Sequence, residues 1–538
     1  MMPVPEGIKA ALTAWGSALP EGAVLSTDEI LTRYARSTAP RATRPCAVLY
    51  PESTEHVSAL LRIASAHRVP VYPISRGKNW GYGDACAPTD GAAIADLSRM
   101  NRILEVNGEL GCALIEPGVT QQQLYERVQQ EAPGFWMDCS GAGCGASVLG
   151  NAIDRGFGHT PYGDHVRSTC GMEIVLADGR VLHTGFGHFD AAKAAHVYPY
   201  GVGPILDGLF MQSNLGIVTR LGVWLYPAPE AFRFFYIGVA REDGLQALID
   251  ALRPLRLRGI LNSAVHIGND LRIISSLRRY PWRQTGGKTP LPEPVREQLR
   301  REFGVSAWNV SGSLTGTRSQ VRGAAKALRR AVAGHGKLVF VTDTKLSLGR
   351  TAVAFLNRFG LGRVMARQLE GLTPNYGLLK GIPTDAPLLG TQWRLRHPPE
   401  TGTADPLDTG CGLLWISPVL PLRGADATAL LERVEPLFRD YGFELLVTFT
   451  MLNERAMVAI LNMAFDKADP RETVSAQACY DAVMGSLMKS GYIPYRVNVG
   501  GMHKLHTPGD TFWQTAQNLK HALDPGAIIA PGRYIPPL

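Results

Sequence analysis

The sequence is poor in cysteine and in long apolar runs, and each shortage excludes a class of protein. Its 538 residues include 8 cysteines, and none form the C-x-x-C pairs typical of zinc or redox motifs. We therefore expect reduced thiols in a cytoplasmic protein. No apolar run reaches the roughly 18 residues of a membrane span. The N-terminal segment carries Glu6 and Lys9 among its apolar residues, which is unlike a signal peptide, so neither export nor membrane association is expected.

An excess of charge of one sign is also absent. The 55 Lys and Arg residues against 47 Asp and Glu residues leave a net charge of +8, which is modest for this length. Basic residues are not interleaved with stacking aromatics, so we expect no nucleic-acid partner. His159 and His165 have no carboxylate or cysteine at ligand spacing, so we expect no metal site. The 45% hydrophobic content excludes a disordered chain and predicts a large core.

Short strands and helices alternate through the first part of the chain. The apolar spacing of Thr54–His67 predicts an amphipathic helix between strands at 48–50 and 69–74, which is a β-α-β unit. Asp178-Gly179 predicts a tight hairpin turn. After Pro227 a longer helix–strand rhythm begins, so we place a boundary there and expect a mixed α and β protein with at least two regions.

Two glycine-rich segments are candidate cofactor loops. The segment at 141–145 resembles a dinucleotide fingerprint, but it does not join a buried strand to a helix, so a tight turn is the better interpretation. The segment at 75–83 follows a predicted strand, and its backbone N–H groups could form a nest for a pyrophosphate. On its own, that segment is equally compatible with an ordinary glycine-rich turn.

Eight short motifs follow one another along the chain, at 75–83, 116–120, 147–151, 158–165, 213–219, 491–496, 523–526 and 530–533. Taken in order, they resemble the flavoprotein family typified by vanillyl-alcohol oxidase, eugenol oxidase and p-cresol methylhydroxylase, and are closest to the first two. Each is weak alone, but their shared order is specific. The resemblance implies an α+β fold with an FAD-binding domain in two parts, 1–236 and 491–538, around an inserted α+β cap domain at 237–490.

The resemblance also implies which residues contact FAD. The pyrophosphate is expected on the loop after the predicted strand, and the other segments are expected along the ribityl chain and isoalloxazine. The implied cofactor-binding residues are Ser75, Arg76, Gly77, Lys78, Asn79, Gly81, Pro117, Gly118, Ser147, Val148, Gly150, Asn151, Tyr162, Gly163, Asp164, Ile217, Val218 and Arg533.

A substrate site is implied by three residues in register with the family's phenolate site. Tyr82, Tyr495 and Arg496 could hold a phenol as its anion, because two hydroxyls and a guanidinium stabilise a phenolate in a dry pocket. Hydride would then pass from the para benzylic carbon to flavin N5, giving a quinone methide that ends as an alcohol, an aldehyde or a vinyl product. The alternative for Tyr495 and Arg496 is a packed tyrosine beside a surface arginine.

Further site assignments follow from looser matches. Glu454 falls near a family active-site glutamate, although an exposed carboxylate is equally compatible with its sequence context. His159 replaces a tyrosine and is either a packed core residue or a polar group near the flavin. The resemblance implies a small phenolic substrate, reoxidation by dioxygen or an electron carrier, and a homo-oligomer.

The sequence departs from the family at two positions. Leu413 stands where the vanillyl-alcohol and eugenol oxidases carry the histidine that links FAD covalently, so we expect non-covalent FAD. Cys411 or a tyrosine of the cap is the alternative attachment point. The acid expected beside flavin N5 aligns near Gly141 or Ala142, where no carboxylate occurs.

These departures leave other functions open. The first is an FAD-dependent 2-hydroxy-acid dehydrogenase on the same fold, although retention of Tyr82 and Tyr495 argues against it. The second is a dehydrogenase coupled to a c-type cytochrome, which the positive net charge weakly supports. The third is a non-catalytic flavin-binding protein, which the missing histidine and acid make conceivable.

Overall fold

The computed structural model describes residues 6–358, 363–397, 399 and 405–537. Its strands are β1 (Val24–Leu25), β2 (Ala47–Leu49), β3 (Val71–Ile74), β4 (Ala93–Asp96), β5 (Ile103–Asn107), β6 (Cys112–Ile115), β7 (Phe135–Trp136), β8 (Thr169–Val175), β9 (Val181–His183), β10 (Ile217–Trp224), β11 (Tyr226–Pro227), β12 (Ala231–Val239), β13 (Val265–Asn269), β14 (Trp308–Gly316), β15 (Lys337–Val341), β16 (Cys411–Ile416), β17 (Val419–Pro421), β18 (Leu446–Met451) and β19 (Ala456–Asp466).

The helices alternate with these strands or follow them in pairs. They are α1 (Glu6–Ala18), α2 (Asp28–Tyr34), α3 (Thr54–His67), α4 (Gln121–Glu131), α5 (Val148–Ile153), α6 (Leu245–Leu257), α7 (Asp270–Ser275), α8 (Trp282–Thr285), α9 (Glu293–Phe303), α10 (Arg318–Ala331), α11 (Asp343–Asn357), α12 (Arg363–Leu378), α13 (Pro406–Thr409), α14 (Gly424–Asp440), α15 (Pro470–Lys489) and α16 (Thr511–Leu523). Among the described residues, no helix combines the length and apolarity needed to span a membrane.

The first sheet is built on the predicted β-α-β unit. Its strand order is β1-β2-β4-β3, with β2 and β3 parallel to β4, as the crossover through α3 requires. The hydroxyl of Ser53 caps α3, and the apolar face of the helix packs into the core of this sheet. The C-terminal segment returns to the edge of the sheet, where Val71 N–H donates to Ile528 O at 2.8 Å and Ala530 N–H donates to Val71 O at 2.8 Å.

The second sheet has the strand order β5-β6-β10-β8-β9 and is antiparallel. The predicted hairpin joins β8 to β9, with Gly179 at its turn. The predicted cofactor segments lie next to elements of this part of the chain: one follows β3, one precedes α5 and one begins β10. These two sheets therefore carry most of the residues expected to bind FAD.

The third sheet is the largest, with eight strands in the order β15-β12-β14-β13-β18-β19-β16 and with β17 paired to β19. Side chains alternate between its two faces, as in any β-sheet. One face packs against α6, α10, α14 and α15 through residues such as Val265, Ile267 and Phe449. Strand β12 belongs wholly to this sheet and spans the predicted boundary between residues 236 and 237.

Candidate active site

The other face of the large sheet roofs a cavity of about 750 Å³. The floor and sides of this cavity come from the loops of the first two sheets and from the C-terminal segment. This volume lies within the range of protein pockets that enclose cofactors and small ligands. The predicted FAD segments and the predicted phenolate residues therefore line a single space.

Most of the predicted cofactor residues line this cavity. They are Ser75, Arg76, Gly77, Lys78, Asn79, Ser147, Gly150, Asn151, Ile217, Val218 and Arg533. The remaining seven do not line it: Gly81, Pro117, Gly118, Val148, Tyr162, Gly163 and Asp164. At least two of these bond to lining residues. The carbonyl of Pro117, for example, accepts a hydrogen bond of 2.6 Å from the Ser147 hydroxyl, and the carbonyl of Gly118 accepts one of 3.3 Å from Arg76.

Three buried guanidinium N–H donors on the cavity wall have no hydrogen-bond partner among the described residues: Arg76 Nε, Arg496 Nε and Arg533 Nη1. Buried donors are nearly always hydrogen-bonded, so a group of unpaired ones marks a surface completed by a ligand. All three belong to guanidinium groups, which favour anionic acceptors such as a pyrophosphate or a phenolate. This donor set fits FAD along the loop after β3 and fits an anionic substrate at Arg496.

The predicted phenolate residues are brought together at one end of the cavity. The Arg496 guanidinium carbon lies 4.3 Å from the centre of the Tyr82 ring, and Tyr495 is the chain neighbour of Arg496. The Tyr82 hydroxyl shares a hydrogen bond of 2.7 Å with Ser417, just after β16. Burial raises the pKa of Tyr82 and raises that of Tyr495 well above its usual value. Both phenols therefore stay protonated and can donate hydrogen bonds.

Asp154 fixes the position of the arginines at this end. Its carboxylate accepts hydrogen bonds from Arg496 and from the Tyr534 hydroxyl, the latter at 2.6 Å, and lies 3.3 Å from Arg533. Burial opposes ionisation of Asp154, but the Arg496 and Arg533 guanidinium groups outweigh it and hold the pKa of the carboxyl below its usual value. No sequence motif predicted Asp154 as a site residue, because its partners lie hundreds of residues away along the chain.

The structure does not bring Glu454 to the cavity. Its side chain is 43% exposed and lies 3.7 Å from Arg167 on the protein surface. The loop that carries it connects β18 to β19, outside the sheet face that roofs the cavity. This position matches the alternative of an exposed carboxylate, and we place no catalytic role on Glu454.

Several polar side chains of the large sheet face the cavity, and no sequence motif predicted them as site residues. Alternate residues of four adjacent strands face the cavity, whereas their neighbours in sequence face the core. These cavity-facing polar residues are His266, Asn309, Ser311, Thr448, Thr450 and Asn462. For the residues of β13 and β14, the signal that could have found them is the alternation of polar and apolar residues in these two strands.

His159 lines the same cavity, and its ring packs at an angle against the ring of His266, with 4.6 Å between ring centres. His159 Nδ1 lies 3.0 Å from the carbonyl of Cys139, and His266 Nδ1 lies 3.0 Å from the Thr450 hydroxyl. Burial lowers the pKa of His159 and lowers that of His266 well below its usual value. The pair is therefore neutral near pH 7. Within the described part of the chain, no group of three or more His, Cys, Asp or Glu side chains is arranged to hold a metal ion.

The segment expected to link FAD covalently offers no nucleophile to the cavity. Leu413 and Trp415 of β16 line it, and Trp415 Nε1 donates to the carbonyl of Trp80 at 3.0 Å. Gly81, at a φ of +74°, permits this packing, because a Cβ there would lie 2.3 Å from the Trp415 ring. The Cys411 thiol turns away from the cavity and lies 3.5 Å from the carbonyl of Pro406.

The comparison with protein families agrees with this geometry. A family model described as an FAD binding domain matches residues 45–185, which cover β2, β3 and β4 of the first sheet, the glycine loop and much of the second sheet. The fold and the site therefore define an FAD-dependent oxidoreductase. The predicted cofactor, FAD, is supported by the same match.

Relatives and solved structures identify the family. The chain is 37% identical over 534 residues to 1'-carboxy-chondrochloren decarboxylase of Chondromyces crocatus, covering 98% of this chain and 97% of that protein. It is 32% identical to the 4-cresol dehydrogenase (hydroxylating) flavoprotein subunit of Pseudomonas putida, covering 91% and 87%. The structure of 4-ethylphenol oxidase from Gulosibacter chungangensis superimposes with a TM-score of 0.89 at 28% identity, covering 100% and 98%.

The chain belongs to the vanillyl-alcohol oxidase/p-cresol methylhydroxylase family of flavoproteins. The predicted family and the predicted α+β fold are confirmed.

Proposed function

We propose that this protein oxidises the benzylic carbon of a para-substituted phenol, with FAD as the hydride acceptor. The observation that carries this proposal is the assembly of Tyr82, Tyr495 and Arg496 at one end of the cavity that is also lined by the FAD-binding segments. Two relatives, a 4-cresol dehydrogenase and a 4-ethylphenol oxidase, support the same substrate class.

The three residues favour ionisation of the substrate phenol. Tyr82 and Tyr495 keep their protons, because burial raises both of their pKa values, so they donate hydrogen bonds rather than compete as anions. Arg496 supplies the positive charge, and Asp154 holds its guanidinium in place. A substrate phenolate accepts these bonds and gains electrostatic stabilisation in a site that excludes bulk water. The negative charge on the ring then weakens the benzylic C–H bond.

FAD, when bound, supplies a two-electron acceptor for the benzylic hydride. The residues that act after the hydride transfer decide which product forms. The neutral His159–His266 pair and the roof hydroxyls can orient a water molecule for addition to the oxidised substrate. Gly141 and Ala142, where the family resemblance placed an acid, line the cavity without a carboxylate. A water-addition route would therefore use an imidazole as its base.

Loss of carbon dioxide is a second candidate for the product-forming step. The relative from Chondromyces crocatus is named a decarboxylase and matches nearly the whole chain. In a phenol with a carboxylate one carbon beyond the benzylic carbon, hydride loss produces a quinone methide. The bond to the carboxyl carbon then breaks, its electron pair forms the alkene, and the ring regains aromaticity as CO₂ departs. This route needs no base at positions 141 and 142.

We propose that FAD is bound without a covalent bond. Leu413 occupies the linking position, and Cys411 points away from the cavity. Within the described residues, the tyrosines that line the cavity all lie outside the cap at 237–490. Acid precipitation of the purified holoprotein is therefore expected to leave yellow FAD in the supernatant. Colour retained in the protein pellet after washing would contradict this prediction.

The proposed reaction is tested by adding 4-ethylphenol to the holoprotein under anaerobic conditions. We expect the flavin absorbance to bleach, and D-lactate, the probe for a 2-hydroxy-acid dehydrogenase, to leave it unchanged. Bleaching by D-lactate alone, or by neither compound, would overturn the proposal. Admitting air to the bleached protein then distinguishes the proposed acceptors, because rapid recovery of colour indicates dioxygen and persistent bleaching indicates an electron carrier.

A further inference from the structure

Arg272 is a cavity residue that the proposed reaction does not use. It lies in α7, directly after β13, and its side chain lines the cavity on the cap side. Within the part of the chain that the structure describes, its guanidinium forms no ion pair and donates no hydrogen bond. Glu370 of α12 also lines the cavity, but it is exposed and forms no ion pair with Arg272.

Among the described residues, four other arginines in or near the core have protein partners for their charge or for most of their donors. Arg256 donates to four backbone carbonyls, those of Leu261, Ser263, Leu452 and Asn453. Arg394 pairs with Glu444 and Glu472, and Arg496 and Arg533 pair with Asp154. Placing a guanidinium in the interior costs free energy unless an anion or acceptor compensates it. Arg272 differs from these four because, among the described residues, no carboxylate or carbonyl pairs with it, so its donors face the cavity and are left to solvent or a ligand.

The surroundings of Arg272 give an anion access to the guanidinium. Gly390 packs against it, and a Cβ at that position would lie 3.1 Å from Arg272 Nη1, so a larger residue would crowd the group. The adjacent roof residues are neutral: Gly268 precedes α7 on β13, and Asn309 and Thr448 face Gly268 on the two neighbouring strands. The nearby His266 is neutral as well, because burial lowers its pKa.

Arg272 stands across the cavity from the phenolate residues. The Tyr82 hydroxyl bonds Ser417 at the end of β16, whereas Arg272 follows β13, and strands β18 and β19 lie between them. Three strand spacings of about 4.8 Å give a lateral distance of about 14 Å. The Tyr82 hydroxyl already lies at the β16 end of this interval, and the Arg272 side chain lines the cavity at the other end. A phenol with a short acidic side chain is the kind of ligand that we expect to span this distance.

We propose that Arg272 binds a carboxylate on the para side chain of the substrate, so that the substrate class is a 4-hydroxyphenyl alkanoic acid rather than a neutral alkylphenol. This proposal rests on the proposed benzylic oxidation and specifies its substrate. Arg496 and the tyrosines bind the phenolic end, and Arg272 binds the acidic end. The benzylic carbon is thereby held between two fixed charges, which restricts its position relative to the flavin segments.

The test compares 3-(4-hydroxyphenyl)propanoate with its uncharged amide as reductants of the bound flavin. Charge-assisted hydrogen bonds of this type are expected to change affinity by about 10- to 100-fold. We therefore expect the wild-type protein to bind the propanoate about 10- to 100-fold more tightly than the amide in anaerobic flavin-bleaching titrations. Equal affinity for the two compounds in the wild-type protein would overturn the proposal without the need for any variant.

The variant Arg272→Met removes the charge and keeps an unbranched side chain. We expect it to lose the preference for the propanoate and to keep its affinity for 4-ethylphenol within about twofold, because that substrate has no group to reach residue 272. Arg272→Lys should restore part of the preference. Arg278→Met is the matched control, since Arg278 lies outside the cavity and pairs with Glu302.

The outcomes separate this proposal from the proposed function. Bleaching of the wild-type protein by 4-ethylphenol without any preference for the propanoate would overturn the role of Arg272 and leave the benzylic oxidation intact. Absence of bleaching by 4-ethylphenol, the propanoate and the amide would overturn both. An Arg272→Met variant that binds FAD and still prefers the propanoate would contradict the assignment of the carboxylate to Arg272.

Discussion

Replacing Arg496 with glutamine is expected to lower the rate of anaerobic flavin reduction by 4-ethylphenol about 10²- to 10³-fold. In the proposed function Arg496 is the cation that would face the substrate phenolate, and loss of a single group that stabilises a developing charge typically has an effect of this size. The relevant quantity is the limiting rate of flavin bleaching at saturating phenol, measured by stopped-flow absorbance.

Two controls accompany the Arg496 variant. Arg318→Gln removes the same charge from an exposed side chain and should leave the bleaching rate unchanged. Arg496→Lys retains a charge without the paired contacts to Asn79 and Asp154, and should fall between the wild type and the glutamine variant. A glutamine variant that contains FAD and bleaches at the wild-type rate would refute the role of Arg496.

The second large effect is expected on stability, from Asp154→Ala. This change leaves two mostly buried guanidinium groups, those of Arg496 and Arg533, without their carboxylate. Removing one partner of a buried ion pair typically lowers the free energy of unfolding by about 3–5 kcal/mol. We expect this loss in chemical denaturation, together with a lower FAD content, whereas Asp154→Asn should lose less because its amide oxygen still accepts a hydrogen bond. An alanine variant as stable as the wild type would contradict this account of the network.

The Asp154 carboxyl also predicts a pH dependence. Its pKa is lower in the folded protein than in the unfolded chain, so its contribution to stability is complete above the unfolded pKa of about 4. That contribution is lost as the pH falls through the folded pKa. The difference in unfolding free energy between the wild type and Asp154→Asn should therefore be constant near pH 7 and shrink below about pH 4. A difference that grows on acidification would contradict the sign of this shift.

Local sequence patterns predicted the elements whose signals are local. Thr54–His67 is a helix with the predicted bounds, because its apolar spacing and its Ser53 cap lie within one short segment. The Asp178-Gly179 turn joins two paired strands for the same reason. Strands β13 and β14 were not predicted although their polar and apolar residues alternate, because the polar residues face a cavity that only distant segments create.

The same distinction between local and tertiary signals applies to the residues of the candidate active site. Tyr82, Tyr495 and Arg496 could be selected because short motifs in family order surround them, and the structure brings all three to the cavity wall. Asp154 and Arg272 have no such motif, and only the tertiary structure shows that one is satisfied by two arginines and the other has no protein partner among the described residues. Glu454 had the loosest match and lies on the surface.

The measurement that tests the central claim most directly is the anaerobic reduction of the holoprotein by 4-ethylphenol carrying deuterium at the benzylic carbon. If the benzylic hydride leaves in the step that reduces the flavin, the deuterated phenol must bleach the flavin more slowly than the unlabelled phenol at saturation. Deuterium on the terminal methyl group, as the matched control, should have little effect. Equal bleaching rates for the benzylic-labelled and unlabelled phenols, or no bleaching by either, would contradict benzylic hydride transfer as the reaction of this protein.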